Sequence, residues 1–351
     1  MSRKTLASVV ACVLLVLLFG AAAFLPVPYV TMSPGPTINV LGEHGGQEIV
    51  EVSGHKTYPT QGQLRMVTVS VTSPNRRISL AEAMEAWFDP TRAVLPRDVV
   101  YPPTQSVQQV EQQSSVEMTN SQDTAVAAAL KEMGYHPAST TEVLAVTSGA
   151  PADGKLKVRD QLLSVNGVHI TGPRSVADAV QKVGVGGTAT FVVRRDGSTR
   201  TVKVTTQASD QDPKHAVVGV VVGVGYQFPF RVSVDISNQI GGPSAGLMFS
   251  LAIYDTLTPG SLTGGDVVAG TGTISANGTV GPIGGIQQKI VAAADAGATL
   301  FFVPPGNCTE ALSADVSSSD IELVRAPTMD SAVHSLEAYA KNRHAQLPHC
   351  S

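Results

Sequence analysis

The sequence predicts an α/β (α+β) protein carrying an N-terminal transmembrane helix, and three observations carry that expectation. An uncharged apolar run opens the chain. From about residue 118 onward, stretches of helical and strand periodicity alternate. In the C-terminal half, the glycine-rich turn "GGPSAG" (241–246) runs directly into the apolar, helix-forming stretch "LMFSL". With 351 residues, 43% hydrophobic and 15% charged, the chain is long enough for two or three packed cores and has the composition of a folded protein. A formal net charge of −4 supplies no basic field for a phosphate backbone, which excludes nucleic acid as an expected partner.

Arg3 and Lys4 precede a stretch without charge from Thr5 to Val40. Within it, Leu6 to Leu25 has the roughly 20 apolar residues that span hydrocarbon, with Pro26 and Pro28 closing the helix and Tyr29 at the interface. Residues 1–28 therefore read as a single-pass cell-membrane anchor, N-terminus cytoplasmic and the bulk of the chain extracytoplasmic, because the basic residues lie before the apolar run. The competing reading is a cleaved signal peptide, for which "GAAAF" offers small residues; the run exceeds the roughly 7–15 apolar residues of such a segment, which favours the anchor. Cys12 lies inside the run as an ordinary helix residue. In an oxidising compartment Cys308 and Cys350 form a candidate disulfide that ties the tail "AQLPHCS" to the loop "PPGNCTE", two free buried thiols being the alternative.

Residues 29–116 read as a membrane-proximal segment of their own, β-rich and partly helical. "TMSPGPTINVLGEHGG" is a turn-rich connector, and "EIVEVSG" and "QLRMVTVSVT" alternate as strands do. Residues 78–90, "ISLAEAMEAWFDP", have helical spacing and stop at Pro90. From Pro102 to Asn120 the chain turns to glutamine and serine, a surface helix or linker, with a domain boundary near 117.

Residues 117–207 predict a small αβ module: helix "SQDTAVAAALKEMGY", strand "TEVLAVT", strand "DQLLSVNGVHI", helix "SVADAVQKV", and strands "TATFVVRRDG" and "RTVKVTT". Gly149–Lys155, "GAPADGK", matches the first positions of a phosphate-binding loop. Leu156 then stands where a Ser or Thr is needed, and no helix N-terminus follows, so no nucleotide site is expected. The stretch "GAPADGKLKVRDQLLSVNG" resembles the PDZ family, although Arg159 stands where those proteins usually have glycine. The resemblance implies strand addition by a peptide beside "TEVLAVT" and against "SVADAVQKV"; a rigid spacer is the alternative.

The region 216–340 turns on Ser244. A serine near a helix start is either a cap or a nucleophile. Histidine is absent from 216 to 309, His215 and His334 only flanking the stretch, so a Ser-His-Asp triad has no local base. Lys289, the only lysine between Lys214 and Lys341, lies with Ile286, Ile290 and Ala293 at i, i+3, i+4 and i+7 on an apolar stripe. A lysine there either snorkels to water or is desolvated, and desolvation lowers its pKa and makes the neutral amine a competent base. The pair predicts Ser-Lys catalysis at a helix N-terminus, with Gly242 and Ala245 of the same turn in support. "GGPSAG" together with "GTGTISANGTVGPIGGIQQKIVAAADAGATLFFVPPGN" resembles the proteolytic domain of the Lon family. The resemblance implies Ser244 as nucleophile, Lys289 as its base and Thr271 as a positioning residue, whereas Gly241 stands where an acidic residue often precedes the motif.

The whole layout, with 341–351 as a tail, resembles the bacterial membrane-anchored PDZ-Lon proteins of the YlbL type. That implies an ATP-independent endopeptidase for unfolded or membrane-adjacent protein chains, without nucleotide, metal or other cofactor, its self-association open. The alternative is a catalytically silent scaffold or adaptor at the membrane.

Overall fold

A computed structural model describes residues 3–103, 106–209, 212–236, 240–317 and 320–350. Helix α1 (Arg3–Ala23) precedes β1 (Pro26–Val27), β2 (Tyr29–Asn39), β3 (Val50–Ser53), β4 (Gln63–Val71), β5 (Ile78–Ser79), α2 (Leu80–Phe88) and β6 (Ala93–Pro96). Helix α3 (Val107–Glu132) leads into β7 (Ala138–Val146), β8 (Gln161–Val165), α4 (Pro173–Val183), β9 (Thr188–Arg195), β10 (Ser198–Thr205) and β11 (Val220–Gln227). Then follow β12 (Arg231–Val234), α5 (Gly246–Leu257), β13 (Val267–Gly270), α6 (Ile286–Asp295), β14 (Leu300–Val303), β15 (Glu322–Arg325) and α7 (Met329–Lys341). Among the described residues α1 is the one helix long and apolar enough to cross a membrane, with a mean hydropathy of 2.7 and no buried residue.

The main sheet draws its strands from both ends of the chain, in the order β15-β14-β13-β4-β2-β6. Strands β13, β14 and β15 run parallel, and β4 joins them in parallel through Val267↔Gln63 to Gly270↔Met66. The expected boundaries are corrected here: 29–116 is no separate segment, because β2, β4 and β6 are half of the sheet on which the 216–340 region is built. The reason is physical. A parallel strand buried on both faces needs a partner along each edge, and β13 finds one of its two in β4.

Alternate residues of the central strands serve opposite faces, as the pleat requires. Leu64, Met66, Val268, Leu300, Phe302 and Val324 pack with α5, which is buried almost all round. Val67, Ala269, Phe301 and Val303 pack with Ile286, Ile290 and Ala293 of α6 on the other side. Two helices thus approach the carboxyl end of β13 from opposite faces.

Helix α3 corrects the boundary near 117, which falls in its interior. Ser106 caps it, accepting from the Gln109 amide while the Gln109 side chain accepts from the Ser106 amide. That S-x-x-Q box was a legible start signal, and no glycine or proline interrupts the next 26 residues. The first turns are largely exposed; Met118, Ser121 and then Asp123 to Leu130 are buried, mainly against α5. Thr104 and Gln105, part of the expected linker, lie outside the described residues.

The second sheet has the order β10-β9-β8-β7-β11 around a core of Phe191, Val193, Leu162, Val165 and Val180. With the short strand Val168–His169, which folds back antiparallel on β8, it holds six strands where four were expected; the other addition is β11, which pairs along β7 from Val220↔Val146 to Gln227↔Ala138. The expected docking place is thereby corrected: β7, the "TEVLAVT" strand, is flanked on both sides, and the strand with an open edge beside α4 is β11. Arg159 adopts a φ of +68°, the left-handed region that glycine normally fills. Its guanidinium lies 3.2 Å from the carboxylate of Asp123 on α3, so the substitution adds a bridge between this turn and the module's own first helix.

Candidate active site

The turn before α5 is built from local rules. Gly242, at φ +88°, takes a conformation closed to most side chains. The N-cap of α5 is Ala245, and no side chain caps the helix, so Ser244 does not spend its hydroxyl on capping. Its side chain is free to face a neighbour, and the neighbour is Lys289.

Helix α6 starts at Gly285, whose φ of +68° and lack of a Cβ both matter: a Cβ there would lie 2.8 Å from Met32 Sδ. One turn later Lys289 points inward, 3% exposed, beside the fully buried Ile286, Ile290 and Ala293. Its Nζ donates to Ser244 Oγ at 2.9 Å and to Thr271 Oγ1 at 3.3 Å. Burial lowers its pKa from the ordinary 10.5 to about 8, and desolvation is the whole cause.

Thr271 follows directly on β13 and is 1% exposed. Its hydroxyl donates to the Ser244 carbonyl at 3.0 Å, and the Gly272 amide donates to the same oxygen at 2.8 Å. The serine turn is therefore bound to the end of the central strand by two hydrogen bonds, while the lysine reaches the same threonine from the other face. All three expected side chains meet at the carboxyl end of a parallel strand, the usual place for sites in such sheets. The Gly242 amide donates to the Ser114 carbonyl at 3.3 Å, while the Ala245 amide has no acceptor among the described residues. His215 and His334 are both exposed and pair with Asp212 and Asp330, away from this cluster.

A cavity of about 300 Å³ opens beside Ser244 and Lys289, walled by Pro36, Met66–Ser70 and Met118. None of these wall residues was singled out from sequence. The strand character of "RMVTVSV" was legible, but its position beside Ser244 follows from long-range pairing. Helix α3 contributes further: the Ser121 hydroxyl donates to the Pro243 carbonyl at 3.1 Å. Past Met66, where β13 ends, β4 has no strand on its cavity side among the described residues. Cys308 and Cys350 are bonded to each other, with 5.1 Å between their Cα atoms.

Residues 238–335 match the model of the Lon protease (S16) C-terminal proteolytic domain, and residues 109–206 match that of the PDZ domain. The chain joins a PDZ domain to a Lon-type proteolytic domain. Similar proteins include the Lon protease of Methylocella silvestris, 48% identical over 66 residues, and that of Mycolicibacterium smegmatis, 44% identical over 66 residues. Each match covers 19% of this chain and 8% of the relative, so the chain spans only a small part of these Lon proteases. Among solved structures, the PDZ domains of SdrC-like proteins from Listeria monocytogenes and Listeria innocua are 15% and 18% identical, each with a TM-score of 0.22. Each of these covers 24% of this chain, and the chain covers 86% and 92% of them.

Proposed function

We propose that this protein is an ATP-independent serine endopeptidase, anchored in the cell membrane by residues 1–28, in which Ser244 is the nucleophile and Lys289 its general base. The observation that carries this reading is the 2.9 Å approach of Lys289 Nζ, on a side chain 3% exposed, to Ser244 Oγ at the edge of the cavity. With a pKa of about 8, about a tenth of the lysine is neutral at pH 7, roughly 300 times the fraction of an ordinary lysine.

The neutral amine takes the Ser244 proton as Oγ attacks the scissile carbonyl carbon. The oxyanion forms at the N-terminus of α5, where the Ala245 amide is available and the helix dipole is favourable. The Lys289 ammonium then returns the proton to the departing amine, leaving an acyl-serine. Water, deprotonated by the same lysine, hydrolyses that ester and restores the pair. Thr271 holds both partners through Lys289 Nζ and the Ser244 carbonyl. A substrate segment enters extended, beside the open side of β4 at Val67–Ser70.

The extracytoplasmic placement is supported by Arg3 and Lys4 ahead of α1 and by the Cys308–Cys350 bond. Peptide capture by the PDZ domain would use the open edge of β11 beside α4. The test is cleavage of an unfolded protein such as reduced casein by the full chain in detergent. Activity must fall by at least about a hundredfold in both Ser244→Ala and Lys289→Met; near-wild-type activity in either purified variant overturns the assignment, and a folded wild type without activity favours the scaffold.

A further inference from the structure

Helix α2 is inside out. Its wheel places Leu80, Met84, Trp87 and Phe88 at i, i+4, i+7 and i+8, a single apolar stripe of the kind a soluble helix turns to its core. In this fold that stripe faces outward: Trp87 is 71% and Phe88 76% exposed, with Met84 and Leu80 also exposed, while Ala83 and Ala86 are the residues that pack inward. Glu82 and Glu85 occupy the third face and pair with Arg76 and Arg92. An isolated exposed apolar side chain needs no explanation, but a continuous stripe with two large aromatic residues does.

The position of α2 says what covers the stripe. The Leu80 amide donates to the Leu25 carbonyl at 2.9 Å, and β1 pairs with β5 through Pro26↔Ser79 and Val27↔Ile78. The start of α2 is thus fastened two residues beyond the end of α1 at Ala23, and α2 touches α1. The 21 residues of α1 rise about 31 Å, one hydrocarbon thickness. If α1 spans the bilayer, α2 stands at headgroup level, where tryptophan is enriched and an amphipathic helix buries its apolar face by about 5–10 Å. Phe24, 82% exposed just after α1, lies at the same level.

We infer that α2 is an interfacial helix whose Leu80, Met84, Trp87 and Phe88 insert into the outer leaflet of the bilayer, resting on the reading of α1 as a membrane anchor. The rigid fastening of α2 to α1 then gives the protein two attachments, so that it is held in a fixed orientation on the membrane and does not swing on one helix. The inserted partner is lipid and requires no particular headgroup.

Trp87 is the only tryptophan in the chain, so its fluorescence reports α2 alone. The full chain is reconstituted in phosphatidylcholine/phosphatidylglycerol vesicles made with and without brominated lipids. The expected result is a blue-shifted emission protected from acrylamide, quenched more by bromines near the headgroup than by bromines at the acyl-chain end. The double variant Met84→Ser/Phe88→Ser, both at exposed positions, is expected to shift the emission to the red and restore acrylamide quenching while cleaving soluble casein as the wild type does. Emission that is acrylamide-quenched and blind to bromine overturns the inference. Emission protected from both quenchers also overturns it and assigns the stripe to a second copy of the chain. Loss of the protein from floated vesicles after an alkaline wash overturns the anchor reading itself; flotation with an unquenched Trp87 leaves the anchor standing and removes only the interfacial helix.

Discussion

Replacing Lys289 by Met separates the chemistry of the site from its energetics. In the folded protein the ammonium is held at about pKa 8 by burial, whereas the unfolded chain binds that proton up to the ordinary value of 10.5. Below pH 8 both states are protonated, and the folded state carries the full desolvation cost. Between pH 8 and 10.5 only the unfolded state holds the proton, so the cost is progressively relieved as pH rises; above 10.5 it is gone. The gap corresponds to roughly 3 kcal/mol. Lys289→Met removes the titrating group, so the variant is expected to be more stable than wild type by up to about 3 kcal/mol at pH 7, with the advantage disappearing toward pH 10.5. Guanidinium unfolding followed by circular dichroism across that range measures the difference. Activity moves the opposite way: Lys289→Met and Lys289→Arg each lose about 10²- to 10⁴-fold, the usual contribution of a general base, and wild-type kcat/KM rises with a midpoint near pH 8. A stability difference that does not vary with pH, or a wild-type rate still climbing toward the midpoint of an ordinary lysine, refutes the buried-base account.

Thr271→Val keeps the shape of the β13 end but removes one hydrogen bond to the ammonium and one to the Ser244 carbonyl. Kinetics on a short peptide should show kcat reduced about tenfold to a hundredfold, as for loss of a hydrogen bond to a charged group, and a pH midpoint moved below that of wild type because the charged lysine has lost an acceptor. The Cys308–Cys350 bond closes a sequence separation of 42 residues, for which chain entropy gives about 4 kcal/mol; Cys350→Ser is expected to lower the denaturation midpoint strongly, and an unchanged midpoint would deny the bond any stabilising part. Burial, reinforced by the nearby Asp123 carboxylate, pushes Glu142 up to about 7 from 4.5. A raised carboxylate favours the folded state most at low pH, so Glu142→Gln should match wild type near pH 4.5 and exceed it above pH 7. Equal pH dependence of unfolding in the two proteins would count against that burial.

What the sequence disclosed, and what it did not, divides along the range of the interactions. Lys289 was legible because a helical stripe is local: Ile286, Ile290 and Ala293 declare the inward face within two turns, and an ammonium on that face has few fates. Ser244 was legible as a residue type on a helix-opening turn, and the question of cap against nucleophile was open until the N-cap proved to be Ala245. The cavity wall was hidden because it depends on which strand fills the edge of β13, and the pairing Gly270↔Met66 joins parts of the chain separated by the entire PDZ domain. The same long-range closure hid the role of α3. Its polar first half has the composition of a linker, but Ser114 and Ser121 are acceptor and donor for the backbone of the serine turn, and Asp123 on the same helix meets Arg159 of the PDZ domain. Reading 102–120 as a surface helix or linker gave Ser114 nothing to bind, and placing Ser121 and Asp123 in the helix of the αβ module named no partner for either. In the fold all three lie on one helix, which meets the serine turn through Ser114 and Ser121 and the Arg159 turn of the PDZ domain through Asp123.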